Sequence, residues 1–113
     1  EAMPIVALGT RMSEALVKMT AKSLGCVIIV GPDERLMGII TDGDLRRHMS
    51  PNLLDLTVEQ IMTRGPKTVR PDQLASEALE LLNSSQKTQL IVTDGDKPVG
   101  IVHVHDLLRI GVA

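Results

Sequence analysis

The sequence predicts a mixed α/β fold built from two copies of one small unit. Residues 36–45 recur as residues 98–107 at an offset of 62, and residues 13–16 recur as residues 76–79 at an offset of 63. The 113 residues include no Phe, Trp or Tyr, so the core has to be built from Leu, Ile, Val and Met. This length suits one folding unit, or two small halves that share a core.

The first copy reads as an extended segment, a helix and two strands. Leu16, Met19 and Leu24 follow a helical stripe, and β-branched residues dominate the strands, which a turn at residues 31–35 separates. The predicted elements are an extended segment at 5–8, a helix over 12–24 that Gly25 ends, strands at 27–30 and 36–40, and a short second helix.

The second copy repeats this order. Its predicted elements are an extended segment at 67–69, a helix over 73–84 capped by Asp72 after Pro71, and strands at 89–93 and 99–102. The turn at residues 94–97 is one residue shorter than its counterpart at residues 31–35, which accounts for the change of offset from 63 to 62. Each turn predicts a β-hairpin.

A connector joins the two copies. The residues from Thr57 to Gln60 match a capping box, which predicts a short helix that ends near Met62. Pro51 and Pro66 interrupt regular structure on either side. We therefore place the domain boundary between residues 56 and 57, giving domains 1–56 and 57–113.

Charge and composition exclude several classes of function. Twelve Lys and Arg against 14 Asp and Glu give a net charge of −2, and without aromatic rings we expect no nucleic-acid partner. The longest apolar run, residues 26–30, is too short to span a membrane, and we expect no secretory signal at Glu1. Cys26 is the single cysteine and lies in that run, which predicts an inert core thiol in a reducing, cytoplasmic compartment.

The end of the second strand carries the chemistry of the first copy. There Thr41 and Asp44 place a hydroxyl and a carboxylate three residues apart, where a strand turns into a helix. A carboxylate accepts hydrogen bonds from the vicinal hydroxyls of a ribose, while a hydroxyl and helix-end amides suit phosphate oxygens. The same spacing is also an ordinary helix-capping pattern, and the two roles are compatible.

Charged side chains near this corner extend the candidate site. Arg46 and Arg47 suit a phosphate or sugar-acid ligand, although an exposed arginine pair is also a common feature of a solvated helix. The candidate ligand-binding residues of this copy are Thr41, Asp42, Asp44, Arg46 and Arg47, and Lys67 in the second copy joins them.

The second copy departs from the first at the same corner. His103 stands in place of the threonine and His105 in place of the glycine, while Asp106 is retained, so we expect two inequivalent pockets. We expect these histidines to contact a ligand or to be structural, with no metal site, because no cysteine or carboxylate cluster accompanies them. The sequence contains no nucleophile elbow, Gly-rich phosphate loop or zinc signature, so no catalytic residue is predicted.

These motifs together resemble a known family. The two Ser-Glu-Ala-Leu segments, the strand end from Gly38 to Asp44 and the connector from Thr57 to Thr63 resemble a CBS domain pair over nearly the whole chain. The resemblance implies two βαββα units that pack pseudosymmetrically through their sheets, with ligand clefts between them. More specifically, segments 38–47 and 103–113 resemble the C-terminal half of D-arabinose 5-phosphate isomerases of the sugar-isomerase (SIS) family.

The resemblance implies a regulatory role. Those isomerases convert ribulose 5-phosphate to arabinose 5-phosphate in an N-terminal SIS domain, and the product is used to make the 3-deoxy-D-manno-octulosonate (Kdo) of lipopolysaccharide. We expect this sequence to be the regulatory part, without that catalytic domain. Thr41 and Asp44 match the family's ribose-phosphate motif and Asp106 matches its second aspartate, whereas His103 replaces the usual Thr or Ser. The expected regulatory ligand is CMP-Kdo or an adenosine nucleotide, and no cofactor is required.

The same resemblance implies partners. We expect the SIS domain of the same chain and a homodimer of CBS pairs within a homotetrameric parent. Two alternatives stay open at this point, an architectural module that holds the parent oligomer together and an adenine-nucleotide-sensing pair from an unrelated protein.

Overall fold

The computed structural model describes residues 3–22, 25–73 and 89–103. It is a mixed α/β structure that divides into two compact units, Glu1–Pro66 and Lys67–Ala113. Among the described residues each unit contains one β-sheet, as the internal repeat predicts. This division follows spatial contacts, whereas the boundary after residue 56 comes from the sequence repeat and stays a prediction.

The first unit is a four-stranded sheet with two helices. Strands β1 and β2 are parallel and are connected through α1, and β2 pairs antiparallel with β3, which pairs antiparallel with β4. Gly25 precedes β2 with a φ of 71°, a left-handed conformation that glycine adopts at little cost. The elements are β1 (Ile5–Ala7), α1 (Met12–Lys22), β2 (Cys26–Val30), β3 (Leu36–Thr41), α2 (Asp42–Arg47) and β4 (Thr63–Arg64).

The second unit repeats this plan in a three-stranded sheet. It contains β5 (Thr68–Val69), β6 (Gln89–Asp94) and β7 (Lys97–His103). As in the first unit, the first pair of strands is parallel and the second pair is antiparallel. Residues 71–73 form a short 3₁₀ turn in which Asp72 accepts a hydrogen bond from Arg70 Nε at 3.1 Å. The rest of the helix predicted over 73–84 lies outside the described residues.

The two hairpins confirm the alignment of the copies. Each hairpin carries an irregularity in register at the corresponding place, between Ile29 and Val30 in one and between Val92 and Thr93 in the other. The first turn contains the 3₁₀ turn Pro32–Glu34, with Asp33 at a φ of 58°. The second turn is tighter, with Asp94 paired to Lys97. The extra residue of the first copy therefore lies in the turn, as predicted.

The core of the first unit is aliphatic and methionine-rich. Strand β2 is buried along its whole length, which agrees with its uninterrupted apolar sequence. The buried cluster consists of Val6, Met12, Ala15, Met19, Val27, Ile29, Ile40, Leu53, Val58, Ile61 and Met62. Three methionines thus fill space that aromatic rings often occupy in other proteins. Within the described ranges, no helix has the length and apolar character that a membrane span requires.

The connector is bound to the loop between β1 and α1. The Met12 N–H donates to the Leu56 carbonyl at 2.8 Å, and the Val58 N–H donates to the Thr10 carbonyl at 2.9 Å. Thr57 and Gln60 form the predicted capping box, although the helix that follows is a single 3₁₀ turn, Val58–Gln60. The connector therefore packs as part of the first unit.

A side chain reinforces this attachment, and its contribution can be measured. Glu59 Oε1 accepts a hydrogen bond from the Gly9 N–H at 2.9 Å, and this bond comes first among the contacts that lower the pKa of Glu59. We expect Glu59→Ala to destabilise the protein by about 1 kcal/mol, whereas Glu59→Gln retains an acceptor oxygen and costs less. Urea unfolding followed by far-ultraviolet circular dichroism measures both. Equal stability of the two variants would contradict a role for this hydrogen bond.

Candidate functional site

The corner between β3 and α2 is built by a capping box. Thr41 has an extended backbone, with φ −120° and ψ 176°, and is the N-cap of α2. Its N–H donates to Asp44 Oδ2 at 2.9 Å, and its hydroxyl donates to the same oxygen at 3.2 Å. The capping interaction that the sequence leaves open is therefore present in the structure.

The other oxygen of this carboxylate has two further donors. Asp44 Oδ1 accepts from the Thr63 hydroxyl at 2.6 Å and from the guanidinium of Arg47, with which it forms an ion pair. Asp44 is only 2% exposed, whereas the Arg47 side chain is 62% exposed. Burial by itself raises the pKa of Asp44, but the hydrogen bonds from Thr63, Thr41 and Arg47 together hold that pKa below its ordinary value. The carboxylate is thus a stable anion at neutral pH.

Thr63 is a residue of this corner that the sequence analysis missed. It lies on β4, and its partner Ile39 lies on β3, so the antiparallel pairing brings the Thr63 hydroxyl to Asp44. The close approach of β4 depends on Gly38, because a Cβ built there would lie 2.8 Å from the Thr63 carbonyl oxygen. The sequence offered only a weak signal for this contact. Gly38 interrupts an apolar strand, and Thr63 directly follows the apolar pair Ile61 and Met62.

The structure brings together part of the predicted site. Thr41 and Arg47 each hydrogen-bond to Asp44. Asp42 and Arg46 lie exposed on α2, and among the described residues neither joins this network. Lys67 is exposed and belongs to the second unit.

The second copy's corner is only partly described. His103 ends β7, where it pairs with Gln89. His105 and Asp106 lie outside the described residues, so the predicted second pocket stays a prediction. Among the residues that are described, no three His, Cys, Asp or Glu side chains are grouped as a metal site requires.

Cys26 lies beside this corner but is unreactive. It is fully buried at the start of β2, opposite Thr41. Burial, and secondarily the negative charge of Asp42, raises the pKa of the Cys26 thiol to about 11. A thiol with this pKa is protonated at neutral pH, so Cys26 is not a nucleophile there.

Comparison with curated proteins gives the relatives. The chain is 44% identical to the arabinose 5-phosphate isomerase KdsD of Pseudomonas aeruginosa over 99% of its own length and 35% of that protein. It is 42% identical to KdsD of Escherichia coli K12 over 97% of its own length and 34% of that protein. It therefore spans about a third of the length of these relatives.

Comparison with solved structures gives the fold. The crystal structure of the CBS domain protein NE2398 has a TM-score of 0.85 and 25% identity, covering 99% of this chain and 89% of that one. CBSX2, crystallised in complex with AMP, has a TM-score of 0.82 and 23% identity over 97% of this chain and 87% of its own. The CBS domain pair of MJ0100 was crystallised in complex with 5′-methylthioadenosine and S-adenosyl-L-methionine. It has a TM-score of 0.84 and 24% identity, covering 97% of this chain and 88% of that one.

The family assignment rests on two matches that coincide with the internal repeat. The CBS domain family matches residues 2–51 and again residues 58–113, which together cover nearly the whole sequence. These are the two copies that the internal offset identifies, and the first contains the Thr41–Asp44 corner. The chain belongs to the CBS domain family, and it carries two CBS domains in tandem.

Proposed function

We propose that this chain is the ligand-sensing CBS pair of an arabinose 5-phosphate isomerase, and that it binds a nucleotide or nucleotide sugar at Asp44. The isomerase chemistry would lie in a SIS domain elsewhere in the same cytoplasmic protein, since the chain spans about a third of the isomerases it resembles. Occupancy of the site would be transmitted to that domain within a homotetramer whose CBS pairs form homodimers.

The observation that carries this proposal is the hydroxyl-lined Asp44 carboxylate with two arginines on the same short helix. A carboxylate that is anionic at neutral pH is a strong hydrogen-bond acceptor for the hydroxyls of a ribose. AMP, 5′-methylthioadenosine and S-adenosyl-L-methionine, the ligands of CBSX2 and MJ0100, each contain such a ribose. This shared chemistry supports a nucleoside-containing ligand for a chain with the same fold.

The arginines favour a ligand with more than one negative group. Arg46 and Arg47 are adjacent and exposed at the end of α2. CMP-Kdo carries a phosphate and a sugar-acid carboxylate, and as the activated end product of the pathway it would provide feedback control. Lys67, His103, His105 and Asp106 complete the proposed set of ligand residues, in the second copy. We therefore place CMP-Kdo ahead of AMP and ATP.

Titration calorimetry with CMP-Kdo, CMP, AMP and ATP tests this proposal directly. Binding of at least one of them is expected, and no heat above that of buffer for all four would contradict the sensing role. The composition provides a second measurement, because a protein without Trp or Tyr barely absorbs in the near ultraviolet. A nucleobase absorbance in the purified protein would therefore reveal a co-purified nucleotide.

A purely architectural role is the second candidate. It is favoured by one observation, that donors from Thr41, Thr63 and Arg47, all within the described part of the chain, already fill the acceptor positions of the nearly buried Asp44 carboxylate. Deleting the CBS pair from the full-length isomerase separates the two roles. Loss of the oligomer with an unchanged response of activity to the nucleotides would support architecture, and loss of the response with the oligomer intact would support sensing.

The role of Asp44 in binding can be measured with a matched variant. We expect Asp44→Ala to weaken nucleotide binding by about 1–3 kcal/mol, because charge-assisted hydrogen bonds to the ribose are lost. Asp55→Ala removes an exposed carboxylate from the 3₁₀ turn Leu53–Asp55 and should leave the affinity unchanged. Calorimetry at a temperature where both variants are folded makes the comparison. Unchanged affinity of Asp44→Ala would assign that residue to capping alone.

A further inference from the structure

The Asp44 carboxylate already accepts four hydrogen bonds from the described residues around it. An ionised carboxylate offers about four acceptor positions, two on each oxygen. The N–H and the hydroxyl of Thr41 occupy those of Oδ2, and the Thr63 hydroxyl and Arg47 occupy those of Oδ1. A ligand hydroxyl can therefore bind Asp44 only by displacing one of these donors.

Arg47 is the donor that leaves at the lowest cost. Both donors of Thr41, its N–H and its hydroxyl, belong to the residue that caps α2, and Thr63 is fixed by the pairing of β4 with β3. The Arg47 side chain, by contrast, is long and 62% exposed, so its guanidinium can turn into solvent. Solvent weakens an ion pair at its exposed partner, and water can solvate the guanidinium once it has left the carboxylate.

We propose that Arg47 makes this site selective for anionic ligands, because it leaves Asp44 for the negative group of a nucleotide when the ribose takes its place on the carboxylate. This inference rests on the proposed function and adds a specificity-determining residue to it. A neutral nucleoside would break the ion pair between Arg47 and Asp44 and would offer the guanidinium no anionic group as a new partner. A nucleotide would replace that partner with a phosphate, which binds a guanidinium strongly.

Two further observations fit this exchange. A Cβ at Gly43 would lie 3.3 Å from a guanidinium nitrogen of Arg47, so the absence of a side chain at Gly43 leaves room for Arg47 to fold back beside Asp44. The internal repeat retains this arginine, since Arg109 follows Asp106 at the same spacing, whereas Arg46 corresponds to Leu108. The spacing between aspartate and arginine is thus a feature of the repeated unit.

The test compares a nucleoside with its nucleotide. Calorimetry would measure adenosine against AMP, and cytidine against CMP, on the native chain, Arg47→Met and Arg47→Lys. For Arg47→Met we expect adenosine or cytidine to bind up to about fivefold more tightly, and the preference for the nucleotide to fall about tenfold. Arg47→Lys keeps the positive charge and should keep most of that preference. Arg35→Met removes a cation from the turn at the opposite end of β3 and should change neither affinity.

Other results would contradict the exchange of Arg47 between Asp44 and the ligand. An equal weakening of nucleoside and nucleotide binding in Arg47→Met would make Arg47 a structural anchor of Asp44 and overturn the exchange. So would unchanged binding of both, or a native protein that binds nucleoside and nucleotide equally well. If the native protein bound CMP-Kdo or ATP but none of these four compounds, the exchange alone would be overturned. Failure to bind CMP-Kdo and ATP as well would overturn the proposed nucleotide site, which distinguishes the two hypotheses.

Discussion

Gly38→Ala is expected to destabilise the protein by about 1–3 kcal/mol, the usual cost of overpacking a well-packed site. The new Cβ would lie 2.7 Å from Met62 Sδ and 2.8 Å from the Thr63 carbonyl oxygen, distances at which something must shift. The methionine side chain can rotate away, but the carbonyl belongs to the backbone of β4. In a strand, alanine is otherwise preferred over glycine by about 0.5–1 kcal/mol, so a net loss would report the clash.

The internal repeat supplies the matched control. Gly100 occupies the same place in β7, but a Cβ there would lie 3.7 Å from Val92 Cβ, which is ordinary van der Waals contact among the described residues. Gly100→Ala should therefore be neutral or slightly stabilising. Urea unfolding followed by far-ultraviolet circular dichroism compares the two variants. Equal effects of the two substitutions would contradict the close approach of β4 to Gly38.

A double-mutant cycle separates the two obstacles at Gly38. Met62→Ala removes the side-chain clash but leaves the Thr63 carbonyl in place. We expect only partial relief when Gly38→Ala is combined with Met62→Ala, because β4 still has to move. If Met62→Ala abolished the whole destabilisation caused by Gly38→Ala, the clash with the Met62 side chain alone would account for it. Movement of β4 would also carry the Thr63 hydroxyl away from Asp44.

Much of the fold could be predicted because the information is local. The apolar run that forms β2, the stripe that forms α1 and the hairpin turn each specify structure within a few residues of sequence. Strand β4 could not be predicted in this way. It consists of two exposed residues, Thr63 and Arg64, and Gly38 leaves the space for its close antiparallel approach to β3.

The candidate site divides in the same way. The Thr41–Asp44 capping box is a local motif, and its spacing indicated both the corner and the carboxylate. Thr63 is 19 residues away from Asp44, and only the sheet topology brings its hydroxyl to the carboxylate. The pairing of Arg47 with Asp44 is local, at a spacing of three residues on one helix. Which of two adjacent arginines forms that pair required the structure.

Loss of the Asp44 carboxylate is expected to have a comparably large effect on stability. Asp44→Ala removes four hydrogen bonds, including the cap of α2, and should destabilise the protein by about 2–3 kcal/mol. Asp44→Asn keeps the shape of the side chain but cannot accept from all four donors. The exposed neighbour Asp42 provides the control, since Asp42→Asn should change the free energy of unfolding by no more than about 0.5 kcal/mol.

The pH dependence of this effect has a defined sign. Because the pKa of Asp44 is lower in the folded protein than in the unfolded chain, its contribution to stability is fully present above the ordinary aspartate pKa of about 3.9. As the pH falls below that value toward the lowered pKa, the folded protein resists protonation more than the unfolded chain does, and the contribution is lost. The stability difference between the native protein and Asp44→Asn should therefore be constant near neutral pH and shrink in acid. Urea unfolding of both proteins across that range measures it, and a difference that stayed constant in acid would show that the carboxylate charge does not stabilise the fold.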